Sequence, residues 1–347
     1  MSKLNLEFYK GTDVYSDGDI ENEIFNITQK DDYIKNLRTS NNWAVLYHLT
    51  PERRNLLEWY DFNKNDEVLE IGAGCGALTE FFCEKVKSVT SVELSKRRAE
   101  IIQNRTKRFD NVEIIVGNLN DIKIDKQYDY ITLVGVLEYA KSFTEGDYPY
   151  ETFLKNIKQY LKPTGTLIVA IENQFGLKYW AGAREDHTGK FFDGIEGYPN
   201  DAHVKTFCKS ELKNLLDNIG FNNIKFYYPY PDYKIPEQIL TDETRDTFCN
   251  YYKNVPNYDQ MRYVFFNEKA VMTSLIKNNI YGEFANSFLV FANNNDKSDT
   301  KLIYSRLRRE LSHKYQLATN IVYKNSSYSV IKKPLTSEAK EHIDKIF

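Results

Sequence analysis

Nowhere does the sequence approach the roughly 18 uninterrupted apolar residues of a membrane-spanning helix, so nothing in it is expected to cross a bilayer. The first residues, MSKLNLEFYK, lack the apolar run of a secretory signal. There are four cysteines, Cys75, Cys83, Cys208 and Cys249, with no C-x-x-C pair and no zinc-type spacing. A reducing, cytoplasmic setting is therefore the expectation, with room for peripheral membrane association. Strong net charge is missing too: −3 over 347 residues provides no global field for nucleic acid, which is not an expected partner. There is no internal repeat, and the one low-complexity patch, NNNDKSD at 293–299, reads as a linker.

What the sequence does have is an ordinary globular composition, 41% hydrophobic and 27% charged, with 26 Tyr and 21 Phe. Most of those rings are expected in packing; the others are stacking platforms suited to sugars or bases. Charge is unevenly placed. Residues 1–35 carry eight acids against four lysines, whereas Lys301, Arg306, Arg308, Arg309, Lys314, Lys324, Lys332 and Lys333 oppose only Glu310 between 300 and 335.

From Glu67 onward β-rich runs alternate with helical patterns: EVLEIGAG, GALTEFFCEKV, VTSVEL, SKRRAEIIQNRTKRF, VEIIVG, YDYITLVGVL, ETFLKNIKQYLKP and GTLIVAIEN. That alternation predicts a parallel sheet with crossover helices. Before it, helices over 39–62 are expected to fold over the carboxyl edge, with Thr50 as N-cap and Pro51 in the first turn. After it, Ser210 is expected to cap a helix ending at Gly220. A helical insertion at about 235–285 separates the last two strands, NIKFYYPY and SFLVFANN. The basic segment at 300–347 reads as three strands and a helix.

Glu70, Gly72, Gly74 and Gly76 form E-x-G-x-G-x-G at the end of the first strand, where glycine allows a sharp turn and a close backbone approach to a ligand. With Ala77 the run also satisfies the loose dinucleotide fingerprint, and Glu93 at the end of the second strand suits the ribose of either cofactor. Glu70 and the later LVGVLEYA argue against NAD.

On these residues, VLEIGAGCG with an acid after the second strand and YDYITLVGVLEYA, the segment 66–173 resembles the class I S-adenosylmethionine-dependent methyltransferases. The resemblance implies an α/β, Rossmann-like methyltransferase sheet over 63–295, with an acidic segment and helical lid at 1–62 and a small β-rich module at 300–347. It implies S-adenosyl-L-methionine as cofactor, with Glu70, Gly72, Gly74 and Gly76 around the methionine moiety, Glu93 on the ribose, and Asn118 and Leu119 beside the adenine. Many relatives have Asp where this chain has Asn118. The first half is also similar to the RNA adenine dimethyltransferases, but GVLEY at 135–139 replaces their base-holding motif.

The loop after the fifth strand, ENQFGLKYWAGAREDHTGKFFDGIEGY, lies at the carboxyl edge where ligands bind in open α/β sheets. Its five glycines permit folding near the transferred methyl; Phe175, Tyr179, Trp180 and Phe191 exclude water; Lys178, Tyr179, Trp180 and Arg184 are expected to contact an anionic or sugar acceptor. For a hydroxyl acceptor the expected base is His187, oriented by Asp186 or another acid, with Glu172 second. Glu138 is read as a surface or capping residue, and no metal is expected. Together with LYHLTPERRNLLEWY and YYPYPDYKIP, this loop resembles methyltransferases of bacterial surface-polysaccharide synthesis. That similarity implies an O-methyltransferase acting on a glycan or phosphorylated glycan. The alternatives are a small-molecule or RNA methyltransferase, or a cofactor-binding scaffold for a downstream domain. YSVIKKPLTSEAKEHI resembles the third strand and first helix of a kinase-like small lobe, with Lys332 in the V-A-I-K position and Glu338 or Glu341 following. Methyltransferase-kinase fusions have this order. Without a glycine-rich loop, H-R-D or D-F-G no kinase activity is expected, and the other reading is a basic hairpin packed on the methyltransferase.

Overall fold

Among the described residues, runs of branched and aromatic side chains form twelve strands that join one sheet. β1 (Lys3–Asn5), β2 (Glu67–Ile71), β3 (Ser88–Glu93), β4 (Val112–Val116), β5 (Tyr128–Val134) and β6 (Leu161–Glu172) are parallel, in the spatial order β1-β4-β3-β2-β5-β6. β7 (Asn223–Tyr230), β8 (Gln238–Leu240), β9 (Ser287–Asn293), β10 (Lys301–Leu307), β11 (Leu317–Lys324) and β12 (Ser327–Pro334) continue it as β9-β7-β8-β10-β11-β12 through antiparallel pairs. This computed structural model describes residues 2–13, 18–30, 33–37, 42–200, 203–248, 254–257, 261–295 and 300–345. Cys249, part of the acidic segment at 14–17 and the centre of the expected linker at 296–299 lie outside the described residues.

The order β4-β3-β2-β5-β6-β9-β7, with the reversed β9 between β6 and β7, is a Rossmann-like class I methyltransferase sheet. The chain moves outward from β2 to β4 and returns to place β5 beside β2. A crevice therefore opens at the carboxyl ends of those two strands. Alternation along each strand divides the core between two faces. Leu69, Val169 and Val290 pack with Leu133 and Leu154 on one, while Val68, Ile168 and Leu289 pack with Phe81 and Phe82 on the other.

Two of the expected caps turn out differently. Ser95 caps Lys96–Thr106 by accepting the Arg98 N–H, but Thr50, at the cap position of the 3-10 helix Pro51–Leu56, makes no side-chain cap bond and donates its hydroxyl to Glu52. Ser210 does not cap its helix. That helix spans Lys209–Asn218 with Cys208 at the cap position, so Ser210 falls in the first turn.

β10 pairs with β8, so the C-terminal strands extend the main sheet, and their cations meet acids that precede β2. The Arg309 guanidinium donates to Glu58 at 2.6 Å and Asn55 at 2.9 Å, and Lys333 pairs with Asp61 at 2.7 Å. Glu338 lies 3.6 Å from His313, and Lys332 is exposed on β12.

Candidate active site

The ends of β2, β3, β4 and β5 surround an open cleft. Gly72, Gly74, Glu93, Asn118 and Leu119 line it, with Val136, Tyr139 and Phe143 as apolar walls. The glycines do different work. All three of Gly72, Gly74 and Gly76 have positive φ, but a side chain at Gly72 would meet Val136 at 2.4 Å and one at Gly76 would press on Ile102 at 3.2 Å. At Gly74 an added carbon would meet nothing within 4 Å, so its backbone faces the open cleft. Glu93 ties the turn together by accepting the Gly74 N–H at 2.7 Å and the Ser95 N–H at 3.0 Å. Burial raises its carboxyl pKa.

Glu70 and Gly76 do not line the cleft. Glu70 is buried behind the turn and accepts from Thr79 at 2.5 Å and Ser91 at 2.8 Å, bracing the turn against the start of the next helix. Burial pushes its carboxyl up to about 7, against the pull of those two hydroxyls. An acid raised above its unfolded value stabilises fully below about 4.5 and loses that contribution as pH rises through 7. Glu70→Gln should therefore gain thermal stability relative to wild type between pH 5 and pH 8, by up to about 3 kcal/mol at the upper end. A pH-independent difference in melting temperature would contradict this.

Across Gly135 from the cleft lies a buried charged cluster. A carbon added at Gly135, itself a cleft residue, would sit 2.9 Å from the Tyr233 hydroxyl and 3.6 Å from Glu138 Oε1, and Tyr139 of the cleft wall packs edge-on to His187. Glu138, after β5, and Glu172, ending β6, are both 0% exposed. Glu172 Oε1 accepts from Lys234 and from Tyr233 at 3.3 Å, whereas its Oε2 and both oxygens of Glu138 have no hydrogen-bond donor. His187 Nε2 stands 3.8 Å from Glu138 Oε1. Burial first and Glu172 second raise Glu138 to about 8. Burial would also raise Glu172, but Lys234 and then His187 outweigh it and hold that carboxyl below its usual range. For His187, burial favours the neutral ring, yet Glu172, Glu185 and Glu138 together raise it to about 9.

A family model described as a methyltransferase domain matches residues 45–225, more than half of the chain. The chain belongs to this methyltransferase family. S-adenosylmethionine is its methyl donor. Among curated relatives, the malonyl-[acyl-carrier protein] O-methyltransferase of Priestia megaterium is 31% identical over 33% of this chain and 39% of that protein. Ribosomal RNA small subunit methyltransferase A of Fusobacterium nucleatum is 24% identical over 58% of this chain and 74% of that one. A solved S-adenosylmethionine-dependent methyltransferase from Archaeoglobus fulgidus aligns with a TM-score of 0.42 at 17% identity, covering 71% of this chain and 93% of the other. The chain spans 39% and 46% of the length of the first two curated relatives. No helix among the described residues is long and apolar enough to cross a membrane.

Of the acids in the methyltransferase's loop that could orient His187, the structure uses one that the sequence did not single out. Asp186 does not orient His187. Asp186 is taken up by Lys178 at 2.6 Å, Tyr179 at 3.0 Å and Lys234 at 3.3 Å, and those ammonium groups hold it far below the usual carboxylate range despite burial. The neighbouring Glu185 orients the ring, meeting Nδ1 at 3.0 Å and accepting the backbone N–H groups of His187 and Thr188. Lys178 and Tyr179 are buried in these contacts, while Arg184 stacks on Phe191 and donates to the Gly189 carbonyl, so it holds the loop's shape. Trp180 is 41% exposed, with its indole N–H donating to the Phe175 carbonyl. Glu138 is no surface residue. Tyr233, Lys234 and Glu185 carried no signal as site residues; YYPYPDYKIP marked the segment without marking which side chains enter the cluster.

Proposed function

We propose that this methyltransferase transfers methyl groups to the oxygen of a glycan or phosphorylated glycan intermediate of bacterial surface polysaccharide. The observation that carries the reading is the cluster beside the cleft, where carboxylate oxygens of Glu138 and Glu172 are buried without donors. Leaving such an oxygen unmatched costs on the order of 1–3 kcal/mol, so the site suits an acceptor that presents hydroxyl donors. Tyr139 of the cleft wall and the partly exposed Trp180 add aromatic surface of the kind sugar rings stack on. The surface-polysaccharide assignment is supported by the similarity of the 171–189 loop and 227–236.

The cleft fits the cofactor. Gly72 and Gly74 would hold its methionine moiety, Glu93 its ribose, and Asn118 and Leu119 its adenine, with Glu70 and Gly76 bracing the turn. Bound there, S-adenosylmethionine supplies an electrophilic methyl group on a sulfonium. The chain supplies alignment and water exclusion, and Glu172 Oε2 is placed to receive the proton that a hydroxyl acceptor releases. Asp186 positions Lys178 and Lys234, and Lys234 fixes Glu172.

Mass spectrometry of methyl transfer from labelled cofactor into fractionated glycan precursors tests the acceptor. Label in a glycan fraction is expected; label confined to RNA or to unrelated small molecules would overturn the assignment. Gly74→Ala tests the cleft. At positive φ the new methyl costs about 1 kcal/mol and projects into the ligand space, so calorimetry should show S-adenosylhomocysteine binding about tenfold weaker. Unchanged affinity would move the methionine site elsewhere.

A further inference from the structure

We infer that Glu138, Glu172 and His187 form a binding site for one divalent metal ion, with manganese or zinc the ions that match its donors. The inference deepens the proposed acceptor site and rests on that reading for its role. One ligand atom from each of the three residues lies within 4.8 Å of the others. A triangle of that side has its centre about 2.8 Å from each corner, so side-chain shifts of roughly 0.7 Å reach a ligation distance of ~2.1 Å.

Three further observations point to a cation here. Glu138 is 0% exposed with neither oxygen hydrogen-bonded, and Glu172 keeps Oε2 unmatched, so the cluster holds buried oxygen lone pairs that no donor satisfies. His187 is arranged as metal-binding histidines usually are: its Nδ1 is tied to a carboxylate, Glu185, which aims Nε2 toward Glu138. Among the described residues, the five carboxyl groups of Glu138, Glu172, Glu185, Asp186 and Asp232 outnumber the ammonium groups of Lys178 and Lys234 and the imidazole of His187 that pair with them. A divalent cation offsets that excess. Binding requires His187 Nε2 as a bare lone pair, so any proton on it passes to solvent. Two carboxylates with one imidazole suit manganese or zinc better than an all-oxygen site would. Three protein ligands leave positions open for an acceptor oxygen, whose proton a bound cation makes easier to remove.

The test titrates Mn²⁺ and Zn²⁺ into EDTA-dialysed protein, by calorimetry and, for manganese, by loss of the free-ion electron paramagnetic resonance signal. One ion per chain is expected. Glu138→Gln should weaken binding at least about tenfold, and Glu185→Gln, acting through His187, about tenfold. Both variants should keep S-adenosylhomocysteine binding and the wild-type circular dichroism, which separates loss of a ligand from loss of fold. No stoichiometric binding of either ion, or equal affinity in Glu138→Gln, would overturn the site. Glycan methylation undiminished in EDTA without a bound ion would remove it and leave the acceptor reading intact. An ion bound by protein that methylates no glycan fraction would keep the site and remove the acceptor reading.

Discussion

Replacing Glu172 with glutamine is expected to lower turnover by about 100 to 10,000-fold while changing the dissociation constant of S-adenosylhomocysteine less than about twofold. The separation follows from position. Glu172 ends β6 and is absent from the cleft lining, where Gly72, Gly74 and Glu93 stand, but it faces the same carboxyl edge across Gly135. Its Oε1 is held by Lys234 and Tyr233, which fixes the direction of the unmatched Oε2. Glutamine keeps the shape and one acceptor oxygen but removes the negative charge, and with it the capacity to take a proton. The same loss is expected with a cation bound, because the neutral amide is a poor ligand. Steady-state kinetics at saturating cofactor, together with calorimetry, provides the check. A variant with wild-type turnover would place the chemistry outside this cluster, and a variant that lost cofactor affinity equally would make Glu172 part of the cleft's architecture.

The glycine turn was legible in the sequence as a unit, whereas the cluster was legible only in part, through His187, Glu172, Asp186 and Lys178, for a physical reason. The glycine turn is local: VLEIGAGCG fixes its own backbone, and Glu93 lies at the end of the adjacent strand, so spacing alone carries the arrangement. Even there, spacing did not distinguish Gly74, which faces the cleft, from Gly76, which packs on Ile102, or show that Glu70 points into the protein. The cluster draws Glu138, Glu172, Glu185, His187, Tyr233 and Lys234 from four separate segments, and only the folded sheet edge brings them together. Within the loop, neighbouring residues Glu185 and Asp186 are equally good partners for His187 on paper. The turn at 185–189, closed by the Gly189 N–H on the Glu185 carbonyl, gives the ring to Glu185 and leaves Asp186 to the lysines. The basic tail shows the same limit. Its sign of charge was plain from composition, whereas its partners, Glu58 and Asp61, lie some 250 residues earlier in the chain.

Those partners lead to a stability effect of comparable size. Glu58→Ala is expected to destabilise the protein by about 3–5 kcal/mol in urea unfolding, the usual cost of removing one member of a buried ion pair. Glu58 is buried and receives the Arg309 guanidinium at 2.6 Å and the Lys85 ammonium at 2.7 Å, with Arg54 at 3.6 Å. Burial alone would raise its carboxyl, but Arg309, then Arg54 and Lys85, hold it below the ordinary value. Alanine leaves these cations facing one another in a space with little water. A depressed carboxyl stabilises above its unfolded pKa and loses that contribution as pH falls through the folded one. The gap between wild type and variant should therefore narrow on acidification. Arg309 follows β10 in the C-terminal strands while Glu58 follows the helix Pro51–Leu56, so this pair fastens the tail to the segment before β2. Hydrogen exchange in β10 and β11 should accelerate more than exchange in β2 or β5. Adding Arg309→Met to Glu58→Ala should recover part of the loss, because it removes a charge that has lost its partner. A single-variant cost below about 1 kcal/mol would show that solvent already screens the pair, and the tail would then be held by the β8–β10 pairing.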